Sequence, residues 1–272
     1  MLRSSNPILS KQDAFTPAAP QYGQQQYAQD PYGQPQGYAP YPQQPVSTEP
    51  RMTFDDVITK TAVVMGVLVV SAALAWMLVP TSLYMPALIL SALVGFGVVL
   101  LVSFRRSISP PLVFVYAAIE GIFIGMFSKI FEMMYSGIVM QAVIGTFAAA
   151  GVTLAAYKFF NIRVTPKFQK IVIIATISFA VAALINFVAA LLGFDLGLRD
   201  GGTGPVSLLA VGFSLLGAVL AVLNLVLDFD YIEKGVAMGA PASESWRGAF
   251  GLTVTMVWLY IEILRLLSYL RR

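Results

Sequence analysis

The sequence predicts an all-α integral membrane protein, a bundle of seven transmembrane helices, and three observations predict it. Of 272 residues, 57% are apolar and only 11% charged, whereas soluble domains are about a quarter charged. Residues 1–50 hold no long apolar run, so residues 51–272 carry nearly all the hydrophobicity. Within that stretch, apolar runs near the ~20 residues needed to cross hydrocarbon alternate with short polar breaks.

The chain divides into a tail, residues 1–50, and a seven-span domain, residues 51–272. Residues 21–45 contain nine Gln, five Tyr, five Pro and three Gly but no Leu, Ile, Val or Phe. Such a stretch buries too little apolar surface to offset the entropy of ordering it, so a disordered cytosolic tail is expected. It is not a signal peptide, because no apolar core precedes a small-residue cleavage site. Its Tyr–Gln–Gly repetition suits weak self-association or capture of a membrane-protein partner.

The spans are expected at 57–79, 86–104, 112–134, 138–160, 171–192, 206–232 and 248–270. The breaks between them are rich in Pro, Gly and charge, the residues that interrupt helices; the shortest falls at Met134–Gly137. Alternating the breaks between two sides places twelve of the 17 basic residues with the N-terminus and five, Lys129, Arg199, Arg265, Arg271 and Arg272, opposite. Basic residues favour the cytosol, so the N-terminus is expected inside and the C-terminus outside. A re-entrant last segment, with both termini inside, is the alternative. Tyr84, Tyr116, Trp246 and Tyr269 suit the aromatic belt at the membrane–water boundary.

The chain has no Cys and no His. That excludes disulfides, thiolate nucleophiles and imidazole bases, together with thiolate or histidine metal sites. Together with the lack of intramembrane protease motifs, this leaves no enzyme chemistry to expect and no tightly bound cofactor. The basic excess of three charges fits loops on an anionic leaflet rather than nucleic acid. Any pH sensing near neutrality falls to carboxylates or amines.

An ionisable side chain at the centre of a span costs about 2.5–3.5 kcal/mol or more, so each is a candidate site. Glu120, Asp228 and Glu262 qualify. At about 100° per residue, Ala210, Ser214, Gly217, Ala221, Asn224 and Asp228 share one face of the sixth span, and Gly248, Gly251, Thr255, Trp258 and Glu262 share one face of the seventh. Small and polar faces mark packing or water rather than lipid, so the two stripes are candidates to lie together, with Asn224, Arg265, Ser214 and Thr255 as supporting polar groups. Each acid also has a plainer reading. Asp228 suits a solvated helix end beside Asp230 and Glu233; Glu262 suits a local ion pair with Arg265; Glu120 precedes Gly121 and Gly125, a helix-packing pattern.

The segments LNLVLDFDYIEKG (Leu223–Gly235), LYIEILRLLSYL (Leu259–Leu270) and FVYAAIEGIFIG (Phe114–Gly125) resemble the sixth, last and third spans of the transmembrane Bax-inhibitor-motif family. The resemblance covers about residues 55–270 in span number and order. It implies a seven-helix bundle with the last helix central, and a bacterial plasma membrane. It also implies a pH-dependent calcium leak, sensed by one acid on each of the last two helices. Those positions are Asp228 and Glu262, the latter one methylene longer than the family's usual Asp. Glu120 stands where the family has a neutral residue.

Two carboxylates in contact at low dielectric share a proton rather than both ionising. Losing that proton would drive them apart and present hard oxygen ligands, from Asp228 and Glu262, to a passing Ca²⁺. From depth along the spans, Glu120 with Glu262 is an alternative pair. The expected function is therefore a pH-sensitive cation leak in the lipid bilayer, with Ca²⁺ and protons as its ions. The alternatives are a non-transporting regulator that binds a protease or other membrane partner, and a proton-coupled transporter.

Overall fold

The structure, a computed structural model, describes residues 50–105, 108–199 and 206–272. The expectation of a disordered tail falls on residues outside these. Seven helices follow in order: α1 (Phe54–Leu78), α2 (Tyr84–Ser103), α3 (Pro110–Met134), α4 (Ile138–Phe159), α5 (Pro166–Leu191), α6 (Leu208–Ala237) and α7 (Glu244–Leu270). All seven are long and apolar enough to cross a membrane. No named strand occurs among the described residues.

Helix starts sit where local chemistry puts them. Thr53, Thr165 and Ser207 accept the orphan amides of Asp56, Phe168 and Leu209, and Pro110 and Pro166 occupy first-turn positions that need no donor. The tight α3–α4 turn is closed at Gly137, whose φ of +77° favours glycine. There the Glu132 carboxylate accepts the amides of Gly137 and Val139. Glu132 thus caps the next helix.

α7 occupies the middle of the bundle, packing against α1, α3, α4 and α6. Half of the most apolar window of α3 and of α7 is buried, against 17% for α1, α2 and α5, which sets the central helices apart from those facing lipid. α7 is one unbroken helix. Its first turn lies at the α1 entry, where Lys60 Nζ donates to Ala242 O at 3.0 Å. Its last residues reach the opposite end, where Arg271 donates to Ser136 O and Gln141 Oε1, each at 2.8 Å.

α1 and α3 form the closest helix pair. A Cβ on Gly121 would lie 2.5 Å from Leu68 O, and one on Gly125 2.5 Å from Ala72 O. Ser71 Oγ adds a hydrogen bond to Ala118 O at 2.6 Å. The Gly-x-x-x-Gly pattern therefore serves backbone approach.

The aromatic-belt expectation is corrected for three residues. Tyr84, Tyr116 and Tyr269 are buried. Tyr116 packs edge-on against Phe250 at 5.0 Å, and Tyr84 lies under the Lys129 ammonium at 4.9 Å. A ring near a span end suits the inside of a bundle as well as its lipid boundary, and here helix packing decides. Gly125→Leu should lower stability by about 1–3 kcal/mol through overpacking, read as a lower melting temperature in detergent, whereas Gly151→Ala, with open space around it, should change little.

Candidate functional site

α6 and α7 run antiparallel with their small-residue faces together, and the three intramembrane acids are housed in one common way. Each lies over a glycine of a neighbouring helix. A Cβ on Gly95 of α2 would stand 3.0 Å from Glu120 Oε2, one on Gly251 of α7 3.2 Å from Asp228 Oδ1, and one on Gly217 of α6 3.0 Å from Glu262 Oε1.

Asp228 is half-buried and accepts a hydrogen bond from Thr255 Oγ1 at 2.7 Å. The plain reading of a solvated helix end does not hold, because α6 continues to Ala237. Its acidic neighbours are engaged elsewhere, Asp230 with Lys234 and Glu233 with Tyr157. Asp228 lies in the wall of a cavity of about 370 Å³, shared with Val99 and Ser103 of α2 and with Tyr231, Arg247 and Thr255. A larger cavity, about 460 Å³, is lined by Leu68, Trp76, Val143, Phe147 and Met256 among others and contains no acid.

Glu262 is fully buried. Its expected local partner, Arg265, is replaced by Arg199 of the α5–α6 connection, whose Nη2 donates to Glu262 Oε1 at 2.9 Å. Arg265 instead lies over the Phe127 ring at 5.1 Å, turned toward α3. Glu262 Oε2 and Ser214 Oγ are buried without a hydrogen-bond partner.

The structure does not bring Asp228 and Glu262 together. Asp228 packs at Gly251, and Glu262 lies eleven residues farther along α7, roughly 16 Å at ~1.5 Å per residue. Both helices are longer than expected at the end where they join, so each acid lies deeper from that end. Glu120 and Glu262 do not meet either. α3 runs parallel to α7, with Tyr116 against Phe250 and Ser128 sharing a hydrogen bond with Tyr260. That register sets Glu120 level with the Gly251–Thr255 turn, and so with Asp228. Glu120 faces α2 at Gly95, one turn from the cavity wall at Val99.

Thr255 meets an acid directly, while Ser214 lies one turn from Gly217, beneath Glu262. Asn224 turns to α5, donating to Thr176 Oγ1 at 2.7 Å and to Leu220 O at 2.8 Å. Sequence reasoning missed Arg199 and the rings of Phe179 and Phe213 beside it. An arginine in a polar connection carries no signal that it reaches 63 positions away. Among the described residues no group of three or more Asp, Glu, His or Cys side chains gathers to hold a metal ion.

A central seventh helix in an apolar seven-helix bundle, with acids set on glycines inside it, defines a polytopic integral membrane protein. The chain belongs to the Bax inhibitor 1 like family, whose profile matches residues 6–272. Comparison with curated proteins gives no match.

The absence of native cysteine makes the two acid environments separable by labelling. Asp228→Cys should react with a hydrophilic maleimide through the cavity, and Glu262→Cys should react roughly tenfold more slowly or less, since a thiol reacts only where reagent and water reach it. Mass spectrometry of the labelled protein checks the order.

Proposed function

We propose that the protein is a pH-sensitive cation leak, with Ca²⁺ as its permeant ion, in which Asp228 and Glu120 form the inner part of the pathway and Glu262 the outer part. The observation that carries this reading is the placement of Asp228, an acid more than two turns inside a span, in the wall of a cavity of about 370 Å³. An ionisable group kept at such depth marks an ion or proton path by default. With the N-terminal end cytosolic, as the basic residues favour, that cavity faces the cytosol.

The distances favour a different gating scheme from a shared-proton pair. With Asp228 and Glu262 about three turns apart, the two share no proton and are housed separately, Glu262 in an ion pair with Arg199. Deprotonation of Asp228 gives a carboxylate at the cavity wall, with Thr255 as its hydrogen-bond donor. Glu120, level with it and facing α2, offers the next oxygen donors. Two separate carboxylates hold Ca²⁺ weakly, because a tight site needs six to eight oxygens, and weak binding is what passage requires. The sign is fixed by the charge: protonated acids repel no neighbour and attract no cation, so flux rises as pH rises.

In liposomes loaded with a calcium indicator, flux through the parent protein should increase from acid to neutral pH. Asp228→Asn should flatten that dependence and Glu262→Gln should displace it; unchanged profiles in both variants sink the proposal.

A further inference from the structure

Arg199 belongs to a connection between helices, yet its side chain is only 15% exposed and the carboxylate it meets, Glu262, 1%. Its guanidinium carbon lies 5.4 Å from the Phe213 ring centroid and 5.8 Å from that of Phe179. Phe179 stacks on Phe213 at 4.4 Å and leans on Trp258 at 5.5 Å. Residues from α5, α6 and α7 thus enclose one cation with a carboxylate at one side and aromatic faces at another.

Such a box selects by hydration. A flat, weakly hydrated guanidinium gains from both the carboxylate and the π-faces. A hard divalent ion gains from one carboxylate and would forfeit the rest of its oxygen shell. The box is also a built one. A Cβ on Gly217 would come within 2.6 Å of Phe179 Cζ and 2.9 Å of Glu262 Cδ, so the acid and the ring share the space a side chain would take. Glu262 Oε2 and Ser214 Oγ are fully buried with no partner, so the site has polar capacity beyond its single ion pair. The nearest other cation on α7, Arg265, lies over Phe127 of α3 and acts on Glu262 through space, without a direct ion-pair contact like that of Arg199.

We propose that these residues form a binding site for guanidinium-type cations, of which Arg199 is the tethered occupant, and that Arg199 holds the outer end of the pathway shut by taking the place beside Glu262 that a crossing cation must use. The second half rests on the leak reading; the first does not. Removing the directly bonded partner of a buried carboxylate is costly, and in this structure the chain supplies that partner itself.

The full chain with Arg199→Ala tests both halves. Its melting temperature in detergent should fall below the parent's and should be restored by millimolar guanidinium chloride but not by equal sodium chloride. The double variant Arg199→Ala/Glu262→Gln should lose that response. In liposomes, Arg199→Ala should leak several-fold faster than the parent, with guanidinium removing the excess. Arg199→Lys keeps the charge without the flat donor and should show the same guanidinium response in weaker form; it serves if the alanine variant does not fold. A melting temperature indifferent to guanidinium in both variants overturns the site. A responsive site with unchanged leak overturns the closing role. If neither parent nor variants carry flux, the leak reading and the closing role fall, and the guanidinium-dependent melting still decides the site.

Discussion

A carboxylate inside an apolar bundle needs space as well as partners, and in this protein glycine on the facing helix provides the space. Glu120 rests over Gly95, Asp228 over Gly251 and Glu262 over Gly217. The same device without an acid brings α1 onto α3 at Gly121 and Gly125. Where the facing residue lacks a Cβ, helices approach until backbone and carboxyl oxygens share one layer, so the acids and the tightest packing belong to one solution. Removing any of these glycines would therefore alter a charge's housing and a helix contact together.

The two ends of the α6–α7 seam are satisfied differently. At one end Asp228 has a neutral donor, Thr255, and a cavity beside it. At the other, Glu262 has a full positive charge and no exposure. A neutral hydroxyl leaves an acid free to gain or lose a proton with little rearrangement. The ion pair at Glu262 lies beside aromatic rings of α5 and α6. The seam thus sets one acid at a cavity wall and the other in a buried ion pair.

Most of the fold was legible because a helix that crosses hydrocarbon needs a long apolar run, and the seven runs lie within a few residues of the seven helices. The acids were legible for the converse reason, since a charge inside such a run stands out. The stripes of small residues on α6 and α7 were legible too, and they do face each other. The depths of the acids were not. Hydropathy ends a span where polar residues begin, but α6 continues for five residues through Glu233 and Lys234, because Asp230–Lys234 and Tyr157–Glu233 contacts stabilise that polar turn. The tyrosines were not legible either: Tyr116 and Tyr269 carry no mark of which way they face. Arg199 was beyond reach, because its partner is set by tertiary packing alone.

The central position of α7 has a consequence for how the protein is made. A chain emerges from the ribosome from its N-terminus onward, so α1 to α6 enter the bilayer before the helix around which α1, α3, α4 and α6 pack. Until α7 arrives, Tyr116 has no Phe250, Ser128 has no Tyr260 and Asp228 has no Thr255. These contacts therefore wait for α7, which is made after the six helices it joins. Of the seven helices, the one made after all the others is the one that gives four of them a common packing partner.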